Sequence, residues 1–425
     1  MDEDENSQGP PAREPRSRAD AGTRREFLIA GAAIASGGAA GAVAAADVPK
    51  GHSAKDASNP GPDNAGLSAL SPNSFNPPKT DHGDVPSFWA SFATAHRRIQ
   101  PGGWTRQVNV RDFPMSKEIA GVNMRLTAGG VRELHWHVAS EWALMLAGKA
   151  RLTAIDAEGR GYVSEVAEGD LWFFPGGIPH SIQGLGPDGC EFLLVFDDGD
   201  FSEFNTTLLS DWTAHVPKEV LAKNWGVAES ALAGMPKEEL YIFQAEEPGP
   251  LAAAKAAAAG ARGPSPLAFD FRLSTMPPTK ATAGGEVRII DTTNFPVSTS
   301  MAAAHVTVRP GGLRELHWHP NADEWQYYVR GQGRMTLFLN GGNARTMDFR
   351  AGDVGYAPKS MGHYVENSGD TDLVFIETFR ADRFQDLTLS DWVTHTPPDL
   401  IRQHLGIARE TLAKFPADKP NVVPR

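Results

Sequence analysis

Two stretches of this chain carry enough chemistry to organise the rest. Arg132-Glu-Leu-His135-Trp-His137-Val-Ala-Ser-Glu141 returns, little changed, as Arg314-Glu-Leu-His317-Trp-His319-Pro-Asn-Ala-Asp-Glu324. Alternate side chains of an extended strand share a face, so both histidines of each His-x-His can hold one ion, with Trp136 and Trp318 on the opposite side. A carboxylate follows each pair, Glu141 or Glu324, and a third histidine comes later, His180 or His363. Imidazole suits zinc, copper, iron and nickel, and the carboxylate makes room for manganese, so the ligand types leave the metal open. An octahedral ion held by four such ligands keeps two open positions, enough for a small bidentate acid or for one substrate atom and dioxygen. A closed structural site would use a tetrahedral set rich in cysteine. Cys190 is the one cysteine here, so the composition favours an enzyme.

The spacing is specific. The first copy reads Gly129, five residues, His135-x-His137, three residues, Glu141, six residues, Gly148; the second reads Gly311, five residues, His317-x-His319, four residues, Glu324, six residues, Gly331. It resembles the first signature of the cupin family. A second signature groups Gly169, Pro175, Gly177 and His180, and again Gly352, Pro358, His363 and Asn367. Ser360 stands where the family prefers glycine and Gly184 where it prefers asparagine, and neither change removes a ligand.

The elements around the sites follow from periodicity. Apolar stretches such as Gly121 to Leu126, Trp142 to Leu146, Arg151 to Ile155, Leu171 to Phe174 and Phe192 to Phe196 are strand-length and separated by glycine or charged turns. Ser210-Asp211-Trp212 reads as a cap opening a helical segment that runs to Gly226. The second half repeats the first, with His135 and His317 offset by 182 residues and Leu209-Ser-Asp-Trp212 returning as Leu389-Ser-Asp-Trp392. Repeats this long are duplicated domains rather than solenoid units. The expected class is all-β, two tandem jelly-roll (double-stranded β-helix) barrels with short helices after each. With 425 residues and 41% hydrophobic content there is ample material for both cores.

The organisation expected along the chain is a signal segment at 1–46, a linker or arm at 47–86, an amino-terminal barrel at 87–246, a linker at 247–266 and a carboxyl-terminal barrel at 267–425. Arg24-Arg25 ahead of the uncharged, Ala/Gly-rich run from Phe27 to Ala46 resembles a twin-arginine export signal, which implies a periplasmic or secreted protein. A membrane anchor is the alternative, because that run is long enough to span a bilayer. A formal charge of −12 argues against nucleic acid and anionic membrane surfaces as partners.

A closer resemblance covers nearly everything from Phe88 onward. Both Arg-Glu-Leu-His-Trp-His segments, Gly169-Asp-Leu-Trp-Phe-Phe-Pro175, Glu191-Phe-Leu-Leu-Val-Phe-Asp-Asp198, Gly352-Asp-Val-Gly-Tyr356, Glu324-Trp-Gln-Tyr-Tyr328 and Met361-Gly-His-Tyr-Val-Glu-Asn367 look like the bicupin oxalate decarboxylases. The resemblance implies manganese in both barrels, dioxygen as co-catalyst, conversion of oxalate to formate and carbon dioxide, and a hexamer of stacked trimers. It assigns His135, His137, Glu141 and His180 to one metal and His317, His319, Glu324 and His363 to the other. It makes Arg132 the oxalate-steering arginine, Glu203 the lid residue that moves a proton, Arg314 a second substrate-side arginine and Glu377 the carboxylate of the second site. Strict alternation would turn Arg132 away from His135, so its inward role needs a bend in the strand. In Phe201-Ser-Glu-Phe-Asn-Thr206 the lid differs from the family's Ser-Glu-Asn-Ser-Thr at Phe204 and Asn205. Oxalate oxidation to peroxide, a non-catalytic metal-binding bicupin and a dioxygenase acting on a larger aromatic are the competing functions.

Overall fold

The computed structural model describes residues 64–425 apart from 75, 417 and 418. The expected signal, 1–46, and the first part of the arm fall outside the described residues. The five apolar stretches named above all lie in strands, and the strands build two barrels on one plan. In the first, Gly103–Val108, Ala120–Leu126, Cys190–Phe196, the first half of Glu141–Ile155 and Leu171–Phe174 form one layer. The second half of Glu141–Ile155 joins Gly161–Ala167, His180–Gly184 and Gly130–Trp136 in the other. The second barrel repeats this with Gly285–Ile290, Ala302–Val308, Leu373–Phe379, Glu324–Arg330 and Asp353–Ala357 against Asn343–Arg350, Gln332–Leu339, Gly362–Asn367 and Leu313–Trp318. All named strand pairs are antiparallel.

One glycine per barrel turns the chain from layer to layer. Gly148 has φ of 75°, and a Cβ there would lie 2.0 Å from the carbonyl oxygen of Gly189. Gly331, with φ of 85°, separates the two matching strands of the second barrel. Left-handed backbone of this kind, pressed against a neighbour, admits only glycine.

Runs such as Leu171-Trp-Phe-Phe174 and Leu373-Val-Phe-Ile376 are apolar at every position because their layer is covered on both faces. Inward, Met124, Leu152, Phe174, Ile182 and Phe192 fill the first barrel, and Val306, Phe349, Val365 and Phe375 the second. Outward, Phe92, Phe113, Trp142, Phe173 and Val195 pack with Phe295, Trp325, Tyr356 and Ile376 into one cluster joining the barrels.

The barrels also exchange short strands. Trp89–Ser91 pairs with Asp353–Ala357 of the second barrel, and Asp270–Phe271 pairs with Leu171–Phe174 of the first. The described part of the arm lies on the second barrel: His82 bridges to Ala344, the Asp81 carboxylate accepts from Thr346 N at 2.8 Å, and Val85 and Phe88 enter the core. Within 247–266, Leu251–Ala259 is a helix packed on Gly161–Ala167.

The helical tail departs from expectation in two respects. It is two helices, Leu209–Ala214 and Lys218–Trp225, broken at Val216-Pro217 and closed by Gly226 in the left-handed conformation. Ser210 lies inside the first helix rather than capping it. Buried Glu133, on the strand of His135, takes the capping role, since its carboxylate accepts from Ser210 N at 2.6 Å.

Phe88, just past the arm, is fully buried in the core of the second barrel. Phe88→Ala should cost about 3–5 kcal/mol, read as a lower midpoint in urea unfolding.

Candidate metal centres and active site

The strand Gly130–Trp136 resolves the orientation of Arg132. Arg132 pairs with Ile182 and His135 with His180, so three steps on one strand oppose two on its neighbour. This β-bulge inserts one extra residue and restores Arg132 and His135 to the same side. Leu313–Trp318 carries the same shift between Arg314, opposite Val365, and His317, opposite His363. Trp136 and Trp318 stay outside, edge-on to Trp212 and Trp392 of the helical tails. His215 and His395, in those tails, bond the carbonyls of Asp211 and Asp391 and belong to neither centre.

In the first barrel the ligand atoms of His135, His137, Glu141 and His180 all lie within 4.8 Å of one another, and every one of these residues is buried. Each imidazole is oriented through Nδ1–H, which donates to a carbonyl: His135 to Glu133 at 2.5 Å, His137 to Ala139 at 2.6 Å and His180 to Ile178 at 2.8 Å. The tautomer is thereby fixed and Nε2 faces the cluster as a lone pair, as a metal-ligating histidine requires. His137 Nε2 lies 3.3 Å and His180 Nε2 3.5 Å from Glu141 Oε2, while Glu141 Oε1 accepts from Trp172 Nε1 at 2.9 Å. Burial, with Arg132 adding to it, holds His135 well below the usual imidazole range, and burial lowers His180. Burial presses Glu141 upward, but the electrostatic pull of the neighbouring His180 and His137 outweighs it and leaves the carboxyl below its usual range. Neutral imidazoles beside an ionised carboxylate are the binding form for a divalent metal.

The second cluster, His317, His319, Glu324 and His363, is equally compact and buried. Nδ1–H of these histidines donates to Glu315 at 2.7 Å, Gln385 at 2.7 Å and Met361 at 3.0 Å. Glu324 is steadied by Gln326 Nε2 at 2.7 Å, and Gln326 in turn by the Tyr328 hydroxyl at 2.8 Å. Nε2 of His180, His317 and His319 is sealed from solvent without a hydrogen-bond partner. Such orphaned lone pairs are costly unless something fills the centre, and both donor sets fit a divalent cation.

The two sites differ in what surrounds their arginines. Arg314 is fully buried, with Nε 3.0 Å from Glu377 and Nη2 3.0 Å from Asp386. Burial opposes its charge, yet those carboxylates raise it above the ordinary guanidinium range. Expected on the substrate side, Arg314 is already neutralised twice within the protein. Glu377, expected as a catalytic carboxylate, is half of that pair. In the first barrel the position matching Glu377 is Leu194, since Leu194 faces Ala143 as Glu377 faces Gln326. Arg132 is 3% exposed and pairs with no carboxylate among the described residues. Its Nη1 donates to the Tyr241 carbonyl at 3.2 Å and its guanidinium lies 4.3 Å from the Tyr241 ring centre.

The segments after the matching strands differ too. Ten residues separate Cys190–Phe196 from Thr207–Leu208, against seven between Leu373–Phe379 and Leu387–Thr388. The shorter segment delivers Asp386 to Arg314. The longer one makes a single 3-10 turn, Glu203–Asn205, anchored by Phe201, which stacks on Phe196 at 3.5 Å and meets the His137 ring edge-on. Glu203 is buried, and its Oε2 accepts from the Tyr241 hydroxyl and from Thr105 Oγ1 at 2.8 Å. Arg132 and Glu203 therefore flank one phenol.

Tyr241, Thr105 and Asp386 were not legible as site residues. Tyr241 had a signal: it and Asn421 stand 180 positions apart, like Leu209 and Leu389. Both have positive φ, and the carbonyl of each accepts from the arginine of its own barrel. The second signature's two departures are also accounted for. Ser360 has φ of 64° and donates its N–H to His319 O, as Gly177 does to His137 O. Gly184 sits where a Cβ would meet the Thr127 carbonyl oxygen at 2.4 Å.

The cupin family model matches residues 91–232 and 271–413. The chain is 49% identical over 352 residues to oxalate decarboxylase OxdC of Bacillus subtilis, spanning 83% of this chain and 90% of that one. A probable oxalate decarboxylase of Arthroderma benhamiae is 38% identical over 351 residues, covering 81% and 85%. Among solved structures, oxalate decarboxylase from B. subtilis at pH 4.6 matches with a TM-score of 0.83 and 48% identity over 86% of this chain and 94% of the other. A second structure of that enzyme, concerned with its Mn(II) centres, gives 0.83 at 47% identity over 86% and 96%.

Metal analysis should find two divalent ions per chain, falling to one in the His135→Ala/His137→Ala variant, and chelation should lower Tm. Arg314→Met should cost about 3–5 kcal/mol, because it strands buried Glu377. Arg132→Met strands no carboxylate and should cost less than half as much in the same urea titration.

Proposed function

Because this chain belongs to the cupin family and, within it, to the bicupin oxalate decarboxylases, we propose that its first barrel converts oxalate to formate and carbon dioxide with manganese and dioxygen. The observation that carries this reading is the contrast between the arginines. Among the described residues Arg132 is a buried cation with no carboxylate partner beside a four-ligand cluster, whereas Arg314 is neutralised. A small anion entering the first barrel supplies the missing negative charge, and the low polarity of the site strengthens that pairing. Manganese held by His135, His137, Glu141 and His180 would supply a Lewis-acidic, redox-capable ion with open positions for oxalate and dioxygen.

The balance of the reaction is one hydrogen oxalate ion to one formate and one carbon dioxide, with no net oxidation. A proton leaves a carboxyl oxygen and arrives on carbon once the carbon–carbon bond has broken. Glu203 is the group to hold it in between, being buried on a turn beside Tyr241 that would open to admit substrate and close for the proton transfer. Arg132 orients the second carboxylate, and Phe201 with Phe196 excludes water beside His137. The second centre, with Glu377 and Asp386 committed to Arg314, serves as a structural metal site. The export reading rests on residues 1–46 alone and the hexamer on the family resemblance; the outward Trp136/Trp212 and Trp318/Trp392 faces suit subunit contacts.

Manganese-loaded protein given oxalate in air should yield about one formate per oxalate with little peroxide. Glu203→Gln should cut formate formation by about 10²–10⁴-fold. Peroxide without formate would make the protein an oxidase, and an undiminished formate yield from Glu203→Gln would remove Glu203 from the mechanism.

A further inference from the structure

We propose that Thr105 is a positioning residue for the acid/base carboxylate, holding Glu203 by one oxygen so that the other is left to exchange the proton with substrate. This rests on the reading of Glu203 given above. Thr105 lies on Gly103–Val108, a strand with no residue in the metal cluster, and is fully buried. Its hydroxyl reaches 98 positions along the chain to Glu203 Oε2, where it joins the Tyr241 hydroxyl. Among the described residues no hydrogen bond is made to Glu203 Oε1. Two donors on Oε2 favour negative charge there and occupy its lone pairs, so an arriving proton settles on Oε1. The carboxylate is thus fixed in rotation as well as in place.

The same strand holds the turn's backbone. Gln107, two residues on and hence on the same face, accepts from Glu203 N through Oε1 at 3.3 Å. When the turn opens, Thr105 loses its acceptor inside a dry core, which biases the turn toward the closed state. On the opposite side Arg98 packs between the rings of Tyr241, at 3.6 Å, and Phe204, at 5.1 Å, and pairs with Glu239 at 2.5 Å. Phe204 is largely exposed and Gln107 half-buried, so Thr105 forms the sealed, directional part of the latch.

Proton delivery also decides between products. If the carbon left after carbon dioxide departs is protonated, formate results. If it is oxidised instead, dioxygen takes the two electrons and two protons, giving peroxide and a second carbon dioxide. Loosening Glu203 should therefore raise the peroxide share as well as slow turnover.

The test compares Thr105→Val, which keeps the shape and removes the hydroxyl, with Thr105→Ser, which keeps the hydroxyl. Two readouts are taken on the full chain: formate and peroxide kinetics with manganese, and hydrogen exchange at the amides of 203–206. Thr105→Val should lower kcat about tenfold with KM little changed, raise the peroxide fraction and speed exchange at 203–206, while Thr105→Ser stays close to the parent in all four. Parental kcat, product ratio and exchange in Thr105→Val would overturn the proposal. So would equal losses in both variants, which would indicate packing. If the parent makes no formate yet exchange at 203–206 depends on the hydroxyl, the decarboxylase reading fails and the Thr105 latch stands.

Discussion

One inserted residue in each metal-bearing strand underlies the arrangement of both sites. Without the bulge between Arg132 and His135, a strand that aims its histidines inward would aim the arginine outward, and cation and metal could not act on one small molecule. The bulge between Arg314 and His317 does the same in the second barrel. Around it the rest is anchored. Glu133 and Glu315, within the bulges, accept backbone N–H groups from the chain's return at Tyr241 and Asn421. The segment that carries Tyr241 into the site is thus fixed by the irregularity that turns the arginine.

The duplicated plan makes the divergence readable as charge. Exchanging Glu377 for its counterpart Leu194 and lengthening the following segment by three residues removes two carboxylates from around one arginine and brings a different carboxylate, Glu203, beside Tyr241. A closed network of buried charges holds a structure, because each charge is satisfied within the protein. An open one invites a ligand of opposite sign. The same scaffold therefore closes the charge around Arg314 in one barrel and leaves Arg132 open to a small anion in the other.

The joined barrels limit how far either can deform. Strands buried on both faces, the exchanged pairs at Trp89–Ser91 and Asp270–Phe271, and the shared cluster around Trp142 and Trp325 leave the first barrel's layers little freedom. The Glu203 turn, by contrast, is held by side-chain contacts rather than by a sheet ladder.

The sequence by itself determined the all-β class, the duplication and the eight histidines and glutamates that cluster in two buried groups. Strand periodicity and ligand spacing are local properties, and a repeat of 182 positions needs no coordinates to be seen. It also showed that Arg132 required a bend, though not where the extra residue would go. Only the tertiary structure decided that Arg314 is bound to Glu377 and Asp386 while Arg132 is not, that Glu133 rather than Ser210 caps the tail helix, that the arm lies on the second barrel, and that Tyr241 and Thr105 meet on one oxygen of Glu203. Those facts join residues 38 to 265 positions apart, and no local pattern encodes which distant groups will share a buried space. Burial gives each such pairing its energy, and burial is a property of the packed chain.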